Sequence, residues 1–260
     1  MSERFATSKE TAERQIGKYL ITDIIGRGGY SIVYKGIHSG LNMPVCVKML
    51  KHDLAMDPDF QRNFRNEARL IASFDHPNII RVYDIEERFR TIFIIMELLE
   101  GLALSDLLKQ GQNLSYGQIV SILMQVCQGL SYAHSQGIIH QDIRPDNIFI
   151  LPNRQVKILD FGVAAPVGSE IFDFIGTVYY MAPEQINSDP IEPRTDLYAL
   201  GTTAYEMVVG KRPFSEDDLG ALMQIHLREE IPDPKEAVSD IPQQLRQERY
   251  IGGCRQRATF

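Results

Sequence analysis

Three polar residues in the middle of the chain have the types and the spacing needed to handle a phosphate group. Asp142 precedes Asn147 by five residues in the segment HQDIRPDN, and Asp160 follows 18 residues after Asp142, directly behind the apolar run 156–159. Two carboxylates and one carboxamide at these spacings can gather around a magnesium–phosphate group. One carboxylate would orient an attacking hydroxyl while the other binds the metal ion.

Length and composition limit the class of protein. The 260 residues, 44% of them apolar, suffice for one large domain or a two-lobed one. The net charge is −7, and acidic and basic residues are interleaved without a basic stripe, so we expect no nucleic-acid partner. Cys46, Cys127 and Cys254 fit neither a disulfide framework nor a metal site, which favours a cytoplasmic location. No apolar run reaches about 18 residues, so we expect no membrane segment.

Apolar periodicity predicts the elements that position these side chains. The first hundred residues predict a β-rich lobe with one helix, which starts at Asp57 as N-cap and Pro58 in its first turn and runs to about Ser73. Gly101 breaks the chain and marks a predicted hinge, beyond which the pattern is mainly helical. The predicted strands are 19–25, 32–37, 45–50, 79–86 and 91–98. The predicted later helices are 104–110, 116–136, 195–209 and 217–229.

The order of the motifs resembles that of the eukaryotic-type protein kinases, and among them the bacterial Ser/Thr kinases. HQDIRPDN, the triplet that starts at Asp160, and MAPE follow one another, and the resemblance covers roughly residues 19–231. It implies an α+β, protein-kinase-like bilobal fold with a small β-rich N-lobe and a larger, mostly helical C-lobe. The implied divisions are a polar lead (1–18), the N-lobe (19–100), the C-lobe (101–245) and an atypical tail (246–260).

A glycine-rich turn, GRGGYSIV, lies between the first two predicted strands. Gly26 and Gly28 match the glycine pattern of these kinases, whereas Ser31 replaces the third glycine and Gly29 is additional. Glycine lets the backbone approach a phosphate closely, although a plain hairpin turn explains the same residues. The sequence contains no G-x-x-x-x-G-K-[ST], which excludes a Walker-type phosphate loop.

Lys48 lies in the apolar segment VCVKML, where an ammonium group is unfavourable unless it is paired. In the kinase family this lysine contacts the nucleotide phosphates and a helix glutamate, for which Glu67 is the candidate. A docked helix would form the Lys48–Glu67 pair, and an outward swing would break it. The alternatives are a water-facing lysine on an edge strand and a solvated glutamate on a helix.

The resemblance also implies a nucleotide pocket. Cys46 would pack on the adenine as a small apolar residue, and Met96 would close the back of the pocket. Glu97 and Leu99 would offer backbone groups to the adenine edge, although a buried strand end explains these apolar residues equally well. The implied ATP-binding residues are Gly26, Gly28, Ser31, Val33, Cys46, Lys48, Glu67, Met96, Glu97, Leu99 and Phe149.

In the catalytic segment, the resemblance implies that Asp142 is the base that orients the hydroxyl and that Asn147 and Asp160 are Mg²⁺ ligands. Taken singly, each could be a turn residue. Gln141 stands where many kinases have an arginine that binds a phosphorylated activation loop, and it carries no charge. Arg144 replaces the usual lysine and keeps a positive charge near the transferred phosphoryl group, where it would assist catalysis.

The next segment, IGTVYYMAPE, favours Ser/Thr over Tyr substrates because its glycine–threonine pair resembles that of Ser/Thr kinases. Thr177 would hydrogen-bond near Asp142 and Arg144 and shape the substrate floor, which makes it a third catalytic candidate. Ser169 is the only hydroxyl residue between positions 162 and 176, where several residues are apolar. We therefore expect this loop to be ordered by packing and not by phosphorylation.

Two residues of the predicted helix 195–209 carry further expectations. Asp196 would anchor the catalytic segment through backbone hydrogen bonds, or would cap the helix. Glu206 would read basic residues before the phosphoacceptor, or would serve the fold alone.

After Ile231 the sequence departs from the family pattern. Such kinases continue with two more amphipathic helices and an arginine that pairs with the glutamate of A-P-E, here Glu184, whereas this sequence continues to IPQQLRQERYIGGCRQRATF. We therefore expect an incomplete C-lobe, with an unpaired Glu184 and an exposed apolar face on helix 195–209. The candidate replacement arginines are Arg246, Arg249, Arg255 and Arg257.

The leading interpretation is a protein kinase that transfers the γ-phosphoryl group of ATP to Ser/Thr hydroxyls of protein substrates, with Mg²⁺ as cofactor. The alternative is a catalytically weak or inactive, pseudokinase-like nucleotide-binding or scaffold module, because the C-lobe is incomplete. A small-molecule phosphotransferase of the kinase-like superfamily is a third option, but such enzymes lack the G-T-x-x-Y-x-A-P-E segment.

Overall fold

The computed structural model describes residues 14–111, 114–161, 165–166 and 178–242. The chain divides into two compact units. Among the described residues, the first unit contains 14–72 together with Arg81–Leu99, and the second contains Ser73–Ile80 and the residues from Glu100 onward. The first unit is built on a β-sheet and the second is mostly helical, which confirms the predicted α+β, kinase-like fold.

A six-stranded antiparallel sheet in the order β1-β2-β3-β4-β6-β5 forms the first unit. Four of the five predicted strands are confirmed to within two residues at each end. The short strand β1 lies inside the stretch expected to be a polar lead. The bounds are β1 Arg14–Ile16, β2 Tyr19–Arg27, β3 Ser31–His38, β4 Met43–Leu50, β5 Val82–Arg88 and β6 Thr91–Glu97.

Strand β5 begins three residues later than predicted, because the residues before it bond elsewhere. The N–H of Ile80 donates to the carbonyl of Ile158 (2.9 Å), and the N–H of Ile158 donates to the carbonyl of Asn78 (2.8 Å). Residues 78–80 therefore pair with the strand Val156–Ile158 of the second unit and not with the six-stranded sheet.

Helix α1 (Pro58–Ala72) packs against β5 and β6 of the first unit. Asp57 caps its start, because the carboxylate Oδ1 accepts a hydrogen bond from the N–H of Asp59 at 2.8 Å. Phe64 and Ile71 of this helix are buried. The helix and its N-cap are therefore confirmed.

In the second unit, the four helices predicted after Gly101 are confirmed to within two residues at each end. The helices are α2 Leu104–Lys109, α3 Tyr116–Ser135, α4 Pro183–Asn187, α5 Pro193–Val209, α6 Leu219–Arg228 and α7 Pro234–Ala237. The short strands are β7 Leu102–Ala103, β8 Ile138–Ile139, β9 Ile148–Ile150, β10 Val156–Ile158 and β11 Ala165–Pro166. Strands β7, β9 and β10 form one small sheet, and β8 pairs with β11.

Helix α5 runs through the interior of the second unit and packs against α3. Tyr198, Leu200 and Tyr205 are buried, whereas Leu197 is 50% exposed. The expectation of an exposed apolar face on this helix is therefore wrong. Within the described ranges, none of the helices is long and apolar enough to cross a membrane.

A histidine lies inside the core beside α5. His226 of α6 shares a hydrogen bond between its Nδ1 and the hydroxyl of Tyr198 (2.8 Å), and its ring packs edge-on against Phe214 with 5.1 Å between centroids. Its Nε2 is buried and meets no hydrogen-bond partner among the described residues. Burial lowers the pKa of His226 to about 4, so the imidazole is neutral at neutral pH.

We expect Gly101→Ala to lower the free energy of unfolding by about 1–3 kcal/mol, because the added methyl group overpacks its site. A β-carbon at Gly101 would lie 2.2 Å from the carbonyl oxygen of Ile150 and 3.0 Å from the ring of Phe149. The matched control is Gly117→Ala in the first turn of α3, where no described atom lies within 4 Å of the added carbon. Urea unfolding of both variants checks the prediction, and equal midpoints would contradict it.

Candidate active site

A buried aspartate on α5 holds the segment that contains Asp142. The carboxylate of Asp196 accepts hydrogen bonds from the backbone N–H groups of His140 (2.9 Å) and Gln141 (2.7 Å). A third contact joins it to Nε2 of His134 at 2.7 Å. The N-cap of α5 is Glu192, so the helix-cap alternative is wrong and the predicted anchoring role of Asp196 is confirmed.

The backbone of the catalytic segment bends sharply at Gln141. Its φ of 68° lies in the left-handed region, which residues other than glycine rarely adopt. Its carbonyl accepts a hydrogen bond from Nε2 of Gln185 in α4, at 2.9 Å. The residue is buried. Gln141 therefore links the catalytic segment to α4 through its backbone, and its neutral side chain offers no cation for a phosphate.

His140 joins the catalytic segment to the strand that leads to Asp160. Its Nδ1 accepts from the N–H of Asp142 (3.2 Å), so its Nε2 carries the proton and donates to the carbonyl of Leu159 (2.9 Å). The ring packs on Phe161, with 4.4 Å between centroids, and Phe161 packs in turn on Phe74 at 5.4 Å. We did not predict this role for His140, although its place two residues before Asp142 was a usable signal.

Asp142 lies beside both Asn147 and Arg144. The Nδ2 group of Asn147 donates to both the carbonyl (2.8 Å) and the carboxylate Oδ2 (2.9 Å) of Asp142. Nε of Arg144 lies 3.6 Å from the same Oδ2. Burial raises the pKa of Asp142, and the nearby charge of Asp160 raises it further, whereas Arg144, His140 and the Asn147 hydrogen bond oppose the shift.

The donor atoms around Asp160 fit a hard divalent cation. Asp160 is exposed and has a φ of 47°, and Asn147 turns its Nδ2 toward Asp142, which leaves its amide oxygen as the group that could bind a cation. The described residues contain no cluster of three or more His, Cys, Asp or Glu side chains that could hold a metal. A site with one carboxylate and one amide oxygen suits Mg²⁺, which usually keeps waters and phosphate oxygens as its other ligands.

In the first unit, Lys48 lies in the middle of the sheet. Its neighbours across the sheet are Val33 on β3 and Ile94 on β6, and only 9% of the residue is exposed. Its Nζ lies 5.7 Å from the ring centroid of Phe64 on α1. The alternative of a water-facing lysine on an edge strand is therefore wrong. The side chain of Glu67 lies outside the described part of the structure, so the Lys48–Glu67 pair stays a prediction.

The glycine-rich turn closes the hairpin between β2 and β3. The N–H of Gly28 donates to the carbonyl of Ser31 at 2.9 Å, and the backbone of Gly26 faces Val33. Ser31, which replaces the third glycine, is buried and faces Leu50. The serine therefore belongs to the sheet, while the turn itself is made by the glycines.

Cys46 and Met96 face each other on neighbouring strands, and both are buried. The N–H of Glu97 donates to the carbonyl of Arg81 at 3.0 Å. Leu99, just beyond β6, is half-buried. The nucleotide contacts expected of these four residues stay predictions.

Of the remaining predicted residues, some lie in the described part of the structure and others lie outside it. Phe149 lies in β9, opposite Lys157. Glu184 accepts a hydrogen bond from the hydroxyl of Thr195 at 2.8 Å, so the expectation that it is unpaired is wrong. Thr177 and the remaining candidates lie outside the described residues, and their roles stay predictions. These candidates are Ser169, Arg246, Arg249, Arg255 and Arg257.

Glu206 is engaged within the fold. Its carboxylate accepts a hydrogen bond from the hydroxyl of Tyr180, and burial together with this bond raises the pKa of Tyr180. The guanidinium of Arg212 stacks on the neighbouring ring of Tyr179, 4.0 Å from its centroid. The structural alternative for Glu206 is therefore supported. We did not predict Arg212, because nothing in the segment GKRPF marks its stacking partner.

The sequence is similar to known protein kinases over most of its length. A family model described as protein kinase domain matches residues 19–250. A probable serine/threonine-protein kinase of Streptomyces coelicolor is 37% identical over 231 residues, which are 85% of this chain and 34% of that protein.

Two mycobacterial relatives are similar at the same level. The serine/threonine-protein kinase PknA of Mycobacterium tuberculosis is 37% identical over 241 residues, which are 89% of this chain and 55% of that protein. The serine/threonine-protein kinase PknB of Mycolicibacterium smegmatis is 35% identical over 245 residues, which are 90% of this chain and 39% of that protein. The chain thus spans between about a third and just over half the length of these relatives.

We expect Asp196→Ala to lower the free energy of unfolding by about 3–5 kcal/mol, because it leaves the buried N–H groups of His140 and Gln141 and the half-buried ring of His134 without their acceptor. Asp189→Ala, which removes an exposed carboxylate, is the control and should stay within about 0.5 kcal/mol of the wild type. Chemical unfolding monitored by circular dichroism measures both. A near-wild-type Asp196→Ala would show that the anchor is dispensable.

Proposed function

The chain belongs to the protein kinase domain family, and from this membership we propose that it transfers the γ-phosphoryl group of ATP to serine or threonine hydroxyls of protein substrates. The observation that carries the proposal is the grouping of Asp142, Asn147 and Asp160 beside a segment anchored by Asp196. The Ser/Thr assignment is supported by the names of the relatives, which are serine/threonine-protein kinases at 35–37% identity.

Asp142 would accept the proton of the substrate hydroxyl. Its carboxylate is oriented by the amide of Asn147 and faces the guanidinium of Arg144, which keeps it ionised before the reaction. The hydroxyl oxygen would attack the γ-phosphorus, and the bond from that phosphorus to the bridging oxygen would break, with its electron pair leaving on ADP. The raised pKa of Asp142 makes its carboxylate a stronger base for the hydroxyl proton.

The charge of the phosphates would be balanced by cations from the chain and from solution. Lys48 would contact the phosphates from the sheet of the first unit, where burial makes its ammonium a strong partner for an anion. Asn147 and Asp160 would hold Mg²⁺, which supplies electrostatic stabilisation of the phosphoryl oxygens when bound. Arg144 would add a fixed positive charge beside Asp142.

An inactive scaffold is the competing function. Such a module would be expected to lack Lys48, Asp142 or Asp160, and all three are present. None of the described contacts favours this alternative.

The proposed partners are ATP and protein substrates. Because ATP is an intracellular phosphate donor, we propose that the domain works in the cytoplasm. The interleaved charges of the chain give no reason to add nucleic acid to this set.

Two substitutions separate catalysis from binding. Asp142→Asn should keep Mg-ATP binding but lower kcat by about 10²–10⁴-fold, because the amide cannot accept the hydroxyl proton. Asp160→Ala should abolish transfer and weaken the Mg²⁺ dependence of ATP binding, because it removes a metal ligand. Transfer of labelled phosphate to a protein substrate and calorimetric titration of Mg-ATP measure the two effects.

The control for this pair is Asp106→Asn, an exposed carboxylate on α2, which should retain wild-type transfer. If the wild-type protein binds Mg-ATP but transfers no more phosphate than Asp142→Asn does, the scaffold function replaces the kinase function.

Activity should not depend on phosphorylation of the segment between Asp160 and Glu184, because Gln141 is neutral and buried and offers no cation for a phosphate. Ser169→Ala should leave kcat within about twofold of the wild type, whereas Thr177→Ala should lower it. Steady-state kinetics of both variants check this. A large loss in Ser169→Ala that is restored in Ser169→Asp would contradict the expectation.

A further inference from the structure

The glycine-rich turn carries an aromatic contact that the mechanism above does not use. Tyr30, at the tip of the turn between β2 and β3, stacks on Phe60 in the first turn of α1, with 5.6 Å between the ring centroids and 23° between the planes. Tyr30 is 39% exposed. The ring therefore lies on the helix surface and is not part of the buried core.

Lys51 holds the same turn through two hydrogen bonds. Nζ of Lys51 donates to the carbonyl of Gly29 at 2.7 Å. The N–H of Lys51 donates to the carbonyl of Tyr30 at 2.9 Å, and this bond continues the ladder in which Ser31 faces Leu50. The turn is thus tied both to the end of β4 and to the start of α1.

Apart from the hydrogen bond from the N–H of Gly28 to the carbonyl of Ser31, the backbone of the turn has little stiffness of its own. Gly28 and Gly29 are adjacent, and a β-carbon built at Gly29 would meet no described atom within 4 Å. Glycine loses more conformational freedom on ordering than any other residue. The order of residues 28–31 is therefore set in large part by the contacts of Tyr30 and Lys51.

One face of α1 reaches two elements with predicted phosphate contacts. Phe60 and Phe64 are four residues apart and lie on the same side of the helix. Phe60 stacks on Tyr30 of the turn, and the ring of Phe64 lies 5.7 Å from Nζ of Lys48. A displacement of α1 would therefore disturb the turn and the lysine together.

We propose that the Tyr30–Phe60 stack is a positioning contact that presets the glycine-rich turn for the phosphates of ATP and makes its order depend on the docking of α1. The inference rests on the proposed kinase function and deepens it. Both residues act through the backbone of residues 28–31 and not by touching the nucleotide. Ordering a flexible turn before binding raises affinity, because binding then loses less conformational entropy.

A double-mutant cycle on Mg-ATP affinity tests the proposal. Tyr30→Ala and Phe60→Ala should each raise the Kd of Mg-ATP by about two- to tenfold, which is the range expected for an aromatic pair. The double variant should bind no more weakly than either single variant, because both remove the same contact. Calorimetric titration measures all three.

Two further variants serve as matched controls. Tyr30→Phe keeps the stacked ring and should bind Mg-ATP with wild-type affinity. Tyr83→Ala removes a tyrosine of similar exposure (43%) from β5 of the same unit, and should bind Mg-ATP like the wild type. Effects that add in the double variant, or wild-type affinity in both alanine variants, would overturn the proposal.

Hydrogen exchange of the nucleotide-free protein supplies a second readout. Phe60→Ala should speed exchange in peptides that cover residues 26–31, although the substitution lies about thirty residues away in sequence. Faster exchange without any change in Kd would show a purely structural contact, and the proposal would be wrong. A wild-type protein that fails to bind Mg-ATP would instead overturn the proposed function, together with the nucleotide part of this inference.

Discussion

The catalytic segment has a backbone shape that it would not keep alone, and a buried carboxylate holds it there. Gln141 adopts a left-handed φ of 68°, which costs a residue other than glycine about 1–2 kcal/mol. Asp196 accepts hydrogen bonds from two successive N–H groups at this bend, and such bonds to a charged group contribute about 1.5–3 kcal/mol each. The bonds outweigh the strain, and the positions of Asp142 and Asn147 follow from that balance.

A second set of contacts positions the strand before Asp160. The side-chain amide of Asn78 donates to the carbonyl of Val156 (2.9 Å) and to Oε1 of Gln125 on α3 (3.1 Å). Gly129 allows α3 to approach this strand, because a β-carbon there would lie 2.7 Å from Cδ1 of Ile158. The ring of His140 connects this strand to the catalytic segment, because it bonds to the N–H of Asp142 and to the carbonyl of Leu159.

Local pattern was enough to predict most elements and the main polar residues. The helix from Pro58 and the strand with Lys48 follow from periodicity and capping, which depend on neighbours in sequence. The start of β5 was wrong because it is decided by hydrogen bonds between Ile80 and a strand almost eighty residues away.

The same limit explains the residues that sequence reasoning missed or judged wrongly. Among the described residues, Thr195 donates a hydrogen bond to Glu184, whereas the family pattern directed attention to a distant arginine. The stacking of Arg212 on Tyr179 likewise joins residues that no local pattern relates. Side-chain pairings between distant segments depend on tertiary packing, and they are the part of the site that only the structure supplies.

The buried imidazole of His226 makes this fold vulnerable to acid. Its pKa of about 4 in the folded protein lies below the ordinary value of 6.5, so between these pH values the unfolded chain binds more protons than the folded one. Stability is therefore unaffected above pH 6.5 and falls by about 3 kcal/mol as the pH drops toward 4. His226 bonds to Tyr198, half a turn from Asp196 on the same helix, so protonation of His226 at low pH would loosen the helix that shapes the catalytic bend.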